Sequence, residues 1–225
     1  MSWKEWPRGV EIEPSLYAAD FARLGEQVDA LLAAGVRIFH FDVGDGHFVE
    51  PVTIGPVVLR AIAARVHDAG AVLDCHLMVA NPTRHLAQIA HAGGDSVTFH
   101  HEIANDPLTL VAQARALGLG VGLAFNPATA VADAVRSAEG VDLVLCMSIE
   151  PGYSGQAFLP EAFDRIHELR SALPEGVHVQ VDGGVTDENV EDVRAAGANL
   201  IVAGSSVFGA GDIASAYRRL ARVGA

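Results

Sequence analysis

The sequence predicts a single-domain α/β barrel of about eight β-then-α units, the (β/α)8 or TIM-barrel class, and three observations carry that expectation. One plan recurs along the chain: a helical pattern, a glycine, then a short apolar run ending in a polar residue. The apolar runs are rich in Val, Ile, Leu and Phe without alternation, as strands covered on both faces are. No Gly-x-Gly-x-x-Gly opens a unit, which favours closure into a barrel over a doubly wound open sheet.

Residues 1–9 form a short N-terminal extension, and "VEIEPS" is the first strand, closing on Ser15. "ADFARLGEQVDALLAA" then places its apolar residues at helical spacing. In "LLAAGVRIFHFD" a glycine suited to the left-handed position ends that helix, and a strand follows that carries His40 and Asp42. Strand side chains alternate, so His40 and Asp42 share one face and Phe41 takes the other. "VHDAGAVLDCHL", "AHAGGDSVTFHH" and "RALGLGVGLAFN" repeat the plan and finish on His76, on His100 with His101, and on Asn126. "RSAEGVDLVLCMS" finishes on Ser148. After the amphipathic "EAFDRIHELRSAL", "LPEGVHVQVD" finishes on Asp182 and "RAAGANLIVAGSS" on Gly204 with Ser205. In such a barrel these ends share one mouth, where active sites sit.

Half of the 225 residues are apolar and 19% are charged, ample for one core, and no linker or low-complexity tract divides it. No apolar run is long enough for a bilayer, and "MSWKEWPRGV" lacks the apolar core of a signal peptide. Cys75 and Cys146 sit singly within apolar runs, as small buried residues of a reduced cytoplasmic protein do. A net charge of −13 argues against nucleic acid and anionic membranes as partners. Lys4 is the only lysine, which leaves almost no room for a Schiff-base lysine in the core.

His40, Asp42, His76 and Asp182 lie at the ends of three strands. Taken alone, each imidazole could equally be a core histidine satisfied by a neighbouring carboxylate. Four ligand-type groups at converging ends favour a metal centre, and nitrogen and oxygen donors without thiolate suit one divalent cation: Zn, Fe(II), Mn or Co. Cys75 points to the opposite face of its strand and should not ligate. Three glycine-bearing turns follow the late strands: "EPGYSGQ" with Gly152, Tyr153, Ser154 and Gly155, "DGGV" with Gly183 and Gly184, and "AGSS" with Gly204 and Ser205. Any one would read as a tight turn. Three in these places point to a phosphate held by backbone amides, since no lysine is near. His47, on a loop over the mouth, and the His100–His101 pair suit structural roles better, and Met78 and Met147 read as core beside the mouth.

"EPSLYAADFARLGEQVDALLAAG", "HFDVGDGHFVEPVTIGP", "LDCHLMVANP", "AFNPAT", "LVLCMSIEPGYSGQAFLP" and "VDGGVTDENV" resemble, in order and spacing, the signature of the ribulose-phosphate 3-epimerase family. The resemblance implies metal-dependent inversion at C3 of a ketose phosphate. It places His40, Asp42, His76 and Asp182 on the metal positions and Asp42 and Asp182 on the two acid/base positions. Ser15, His76, Asp182 and the three glycine-bearing turns fall on substrate-contacting positions. The expected partners are a small phosphorylated sugar and further copies of the chain in a homo-oligomer. Gly44 stands where the family usually has Met, which predicts a thinned apolar cap on one side of the substrate. Tyr17, Glu50, Pro51, Glu150, Tyr153 and Ser154 also depart from the usual pattern and keep a six-carbon substrate such as allulose 6-phosphate open. Two other classes share the phosphate loops. A barrel lyase generally needs a strand-end lysine, absent here. A silent barrel would be marked by the loss of one aspartate, and both are present.

Overall fold

The computed structural model describes residues 3–222. Its strands are β1 (Glu11–Pro14), β2 (Ile38–Gly44), β3 (Val72–Met78), β4 (Ser96–His100), β5 (Gly120–Phe125), β6 (Leu143–Met147), β7 (His178–Asp182) and β8 (Leu200–Ala203). All pair in parallel, in the order β1-β8-β7-β6-β5-β4-β3-β2, and a bridge between Ser15 and His40 brings the two ends of the sheet together. The result is a nearly closed (β/α)8 barrel.

Helices α1 (Leu24–Ala34), α2 (Pro56–Asp68), α3 (Thr83–Ala92), α4 (Pro107–Ala116), α5 (Val131–Ser137), α6 (Ala162–Ala172) and α7 (Val190–Ala196) connect the strands. The short α8 (Ser205–Phe208) and then α9 (Ile213–Ala221) follow β8, and α9 packs against α1 to complete the outer ring. Gly35, Gly70, Gly93, Gly118, Gly140 and Gly197 all have the positive φ that the repeated plan anticipates. Gly176 of "LPEGV" does not. There the helix ends at Leu173, extended at φ −86° and ψ 148°, because the following Pro174 disfavours helical geometry at the residue before it.

Alternation along the strands sorts the core into two bodies. Phe39, Phe41, Leu73, Leu77, Phe99, Val121, Val144, Val181 and Ile201 face outward and bury against the helices. Ile38, Val72, Leu143 and Leu200 face inward at the strand starts, where Trp3 and Trp6 join them. The extension is therefore part of the barrel. Trp3 is 1% exposed, its indole stacks edge-on against Trp6 at 5.0 Å, and its carbonyl accepts from His178 Nε2 at 3.0 Å. A Cβ at Gly120 would stand 2.6 Å from Trp3 Cδ1, so the indole occupies space that the glycine leaves.

Candidate active site

Above the apolar floor the inward positions turn polar, and the register sets who meets whom. His40 lies beside Asp74, and Asp42 beside His76, across the β2–β3 pairing. Residues paired in register project from the same face, so these four side chains stack in two levels. Asp182 joins the upper level from β7. One ligand atom each from His40, Asp42, His76 and Asp182 lies within 4.8 Å of the others, and the set could hold a metal ion.

The hydrogen bonds fit that use. His40 Nδ1 lies 3.2 Å from Asp74 Oδ2, which leaves Nε2 as the nitrogen facing the upper level. That Nε2 is buried without a hydrogen-bond partner, 3.2 Å from Asp42 Oδ1 and 4.0 Å from Asp182 Oδ2. His76 presents Nδ1 to the same carboxylates, at 3.0 Å from Asp42 and 3.7 Å from Asp182. Metal bonds of about 2.0–2.2 Å to imidazole nitrogen and carboxylate oxygen put neighbouring ligand atoms roughly 3–4 Å apart. An orphaned imidazole nitrogen aimed at two carboxylates at this spacing suits a divalent cation.

The two aspartates differ in electrostatics. Burial opposes the charged form of Asp42, but His40 and His76 outweigh it and hold the carboxyl well below the usual range. Asp182 moves the other way: burial, reinforced by the charge on Asp42, pushes it up to about 7. His40 is raised well above its ordinary value, since Asp42, Asp74 and Glu13 outweigh a burial that would lower it. His76 is lowered, chiefly by burial. Ser15 Oγ donates to Asp42 Oδ2 at 2.5 Å and fixes that carboxylate's orientation.

A cavity opens over this level. It is lined by Ser15, Tyr17, Asp42 and Asp182, by Met78, Met147, Ile149, Val185 and Val202, and by Gly152, Tyr153, Ser154, Gly155, Gly183, Gly184, Gly204 and Ser205. The turns expected from the sequence thus converge on one space, and no Lys or Arg is among the lining residues. His40 and His76 are fully buried beneath it and do not line it. His47 bonds to Asp45 and His101 to Ser137, both away from the cavity. Gly184 is required by the fold. It sits at φ 66°, and a Cβ there would meet Phe158 N at 2.4 Å.

The ribulose-phosphate 3-epimerase family model matches residues 11–208. The chain belongs to that family. A ribulose-phosphate 3-epimerase of Oryza sativa subsp. japonica, a cytoplasmic isoform, is 39% identical over 216 residues, covering 93% of each chain. The ribulose-phosphate 3-epimerase of Escherichia coli K12 is 40% identical over 200 residues, 88% of each. The 3-hexulose-6-phosphate synthase of Salmonella typhimurium, at 18% identity and a TM-score of 0.72 over 95% of this chain and 97% of that one, shares the fold.

This epimerase, an isomerase of carbohydrate metabolism, departs from one expectation at Gly44. The space beside it is not open: a Cβ at Gly44 would stand 2.9 Å from the Pro51 carbonyl and 3.0 Å from both Val49 and Thr53. The 49–53 loop packs down onto the glycine and fills the volume, while Thr53 Oγ1 accepts from Gly44 N and donates to the Asp42 carbonyl. A side chain at Gly44 would collide with that loop.

The epimerase also contains a buried polar layer that the motif reading missed. Asp74 accepts from Ser96 Oγ at 2.5 Å and from Gln180 Nε2 at 2.8 Å, and Gln180 donates to Glu13 at 2.6 Å. Burial pushes Glu13 up to about 7. The signal was present. Glu13, Asp74, Ser96 and Gln180 each lie two or four residues before a strand-end polar group, on the same face.

Proposed function

We propose that this epimerase interconverts D-ribulose 5-phosphate and D-xylulose 5-phosphate by proton transfer at C3 through Asp42 and Asp182. One observation carries the reading. Two carboxylates reach one cavity from β2 and β7, strands separated around the barrel by β1 and β8. Inversion needs a base on one face of a planar intermediate and an acid on the other, and two carboxylates set on separated strands around one cavity can supply them. Asp42 and Asp182 act as base and acid in one direction, and the reverse reaction exchanges the roles. His40, Asp42, His76 and Asp182 would hold a divalent cation, whether Zn, Fe(II), Mn or Co, which would supply Lewis-acid stabilisation of negative charge on the substrate oxygens. The five-carbon substrate follows from the relatives, which are named for ribulose phosphate.

The phosphate sits against the turns at Gly152–Gly155, Gly183–Gly184 and Gly204–Ser205, whose backbone N–H groups provide the donors that no cationic side chain in the lining offers. Gly155 gives the cleaner test. It has φ 85°, and a Cβ there would meet nothing within 4 Å. Gly155→Ala should raise KM about tenfold, ~1.4 kcal/mol, with kcat little changed. An unaltered KM would remove this turn from the phosphate site. A homo-oligomer in the cytoplasm belongs to the same reading, supported by the exposed apolar Phe21, Val52 and Val57 and by the cytoplasmic relative.

The deciding experiment offers chelator-free enzyme D-ribulose 5-phosphate and D-allulose 6-phosphate in deuterated buffer and follows C3 inversion with deuterium uptake. A higher kcat/KM for the pentulose is expected. Preference for the hexulose would overturn the substrate, and no inversion of either would overturn the mechanism.

A further inference from the structure

The mechanism above leaves a fully buried histidine unused. His100, at the end of β4, is 0% exposed, and its Nε2 lies 2.8 Å from Nε2 of His76. The two rings are nearly parallel, at 22°, with centroids 5.0 Å apart, and Phe48 covers His100 at 4.6 Å. On its far side His100 Nδ1 lies 3.3 Å from Glu102 Oε2. Glu102 is itself anchored: its other oxygen accepts from Asn126 N at 2.7 Å and from the Thr129 hydroxyl.

A proton count follows from this geometry. An ionised carboxylate only accepts, so the Glu102 contact assigns the His100 proton to Nδ1. A neutral His100 then turns a lone pair toward His76, and the 2.8 Å contact between two nitrogens needs one proton, which must sit on His76 Nε2. A neutral His76 is left with a bare Nδ1, the nitrogen 3.0 Å from Asp42 Oδ1. Two electron-rich atoms at that distance repel unless a cation lies between them. On the other imidazole Asp74 does the matching work, taking the Nδ1 proton of His40 so that Nε2 is the nitrogen turned toward Asp42 and Asp182.

Resting on the metal reading above, we infer that Glu102 and His100 form a positioning relay that sets the tautomer of His76, so that Nδ1 is the nitrogen offered to the metal. The relay reaches the metal ligand from the loop after β4, and neither of its members lines the substrate cavity. Partners of this kind also raise ligand basicity, and losing one typically costs about 10–100-fold in metal affinity.

The test uses Co2+ as the probe, titrated into chelator-stripped full-length protein against a competing chelator, with the visible spectrum as the report on its ligands. His100→Leu removes both relay contacts and should weaken Co2+ binding about 10–100-fold with an altered spectrum. Glu102→Ala should fall in the same direction. His100→Gln keeps a carbonyl toward His76 and an N–H toward Glu102, and should restore affinity to within about threefold, which a role in packing alone would not predict. Histidine 15N shifts should show the His76 proton on Nε2 in the wild type. Wild-type binding with unchanged affinity in His100→Leu and Glu102→Ala would overturn the relay alone. A His76 proton found on Nδ1 would do the same. A wild type that binds no Co2+ would overturn the relay together with the metal reading.

Discussion

Asp182→Asn should lower turnover by about 10²–10⁴, the usual worth of a positioned general acid or base, while metal binding falls by much less. Asn is nearly isosteric with Asp and still offers a carbonyl oxygen, but it cannot carry the C3 proton. Asp42→Asn should lose a similar factor. Asp42 additionally anchors Ser15 and both imidazoles, so its metal affinity should fall further than that of Asp182→Asn. The two variants differ in what survives. With one aspartate gone, the other can still remove the C3 proton from the epimer it faces and return a deuteron to the same side. Asp182→Asn should therefore wash deuterium into one epimer without inversion, and Asp42→Asn into the other. Both variants exchanging the same epimer would show that these residues do not serve opposite faces.

Trp3→Ala should cost about 3 kcal/mol or more of stability, the scale of removing a buried Trp from a core. The indole is almost wholly buried on the inward-facing floor formed by Ile38, Val72, Leu143 and Leu200, and its loss would leave the hollow over Gly120 unfilled. Urea denaturation should show a lower midpoint at an unchanged slope. The lesion lies at the opposite ends of the strands from Asp42 and Asp182, so kcat measured well below the melting range should hold. A midpoint unmoved by Trp3→Ala would mean that the extension contributes nothing to the barrel.

Much of this enzyme is legible in its sequence. Period-2 alternation placed His40 and Asp42 on one face, and the recurring helix–glycine–strand plan announced a barrel, because both follow from backbone geometry that every residue shares. Polar strand ends announced the mouth, since ionisable groups have little other use on strands that are apolar on both faces. His100 illustrates the limit. Its sequence neighbours left orienting a ligand open but favoured a structural part, and its contact with His76 appears once β3 and β4 pair in register. Trp3 and Trp6 carried no motif at all, and only the closed barrel supplies the floor that buries them.

The sequence by itself determined the barrel class, the four metal-type side chains and the three glycine turns, because each depends on residue type and on spacing along one strand or one turn. Tertiary structure alone decided which nitrogen of each imidazole faces Asp42 and Asp182, that Glu13, Asp74, Ser96 and Gln180 form a buried layer beneath them, and that Pro51 fills the space over Gly44. Those outcomes depend on distances between strands far apart in sequence, and strand register in the barrel sets such distances. Local pattern constrains the face a side chain occupies but not the atom it meets there.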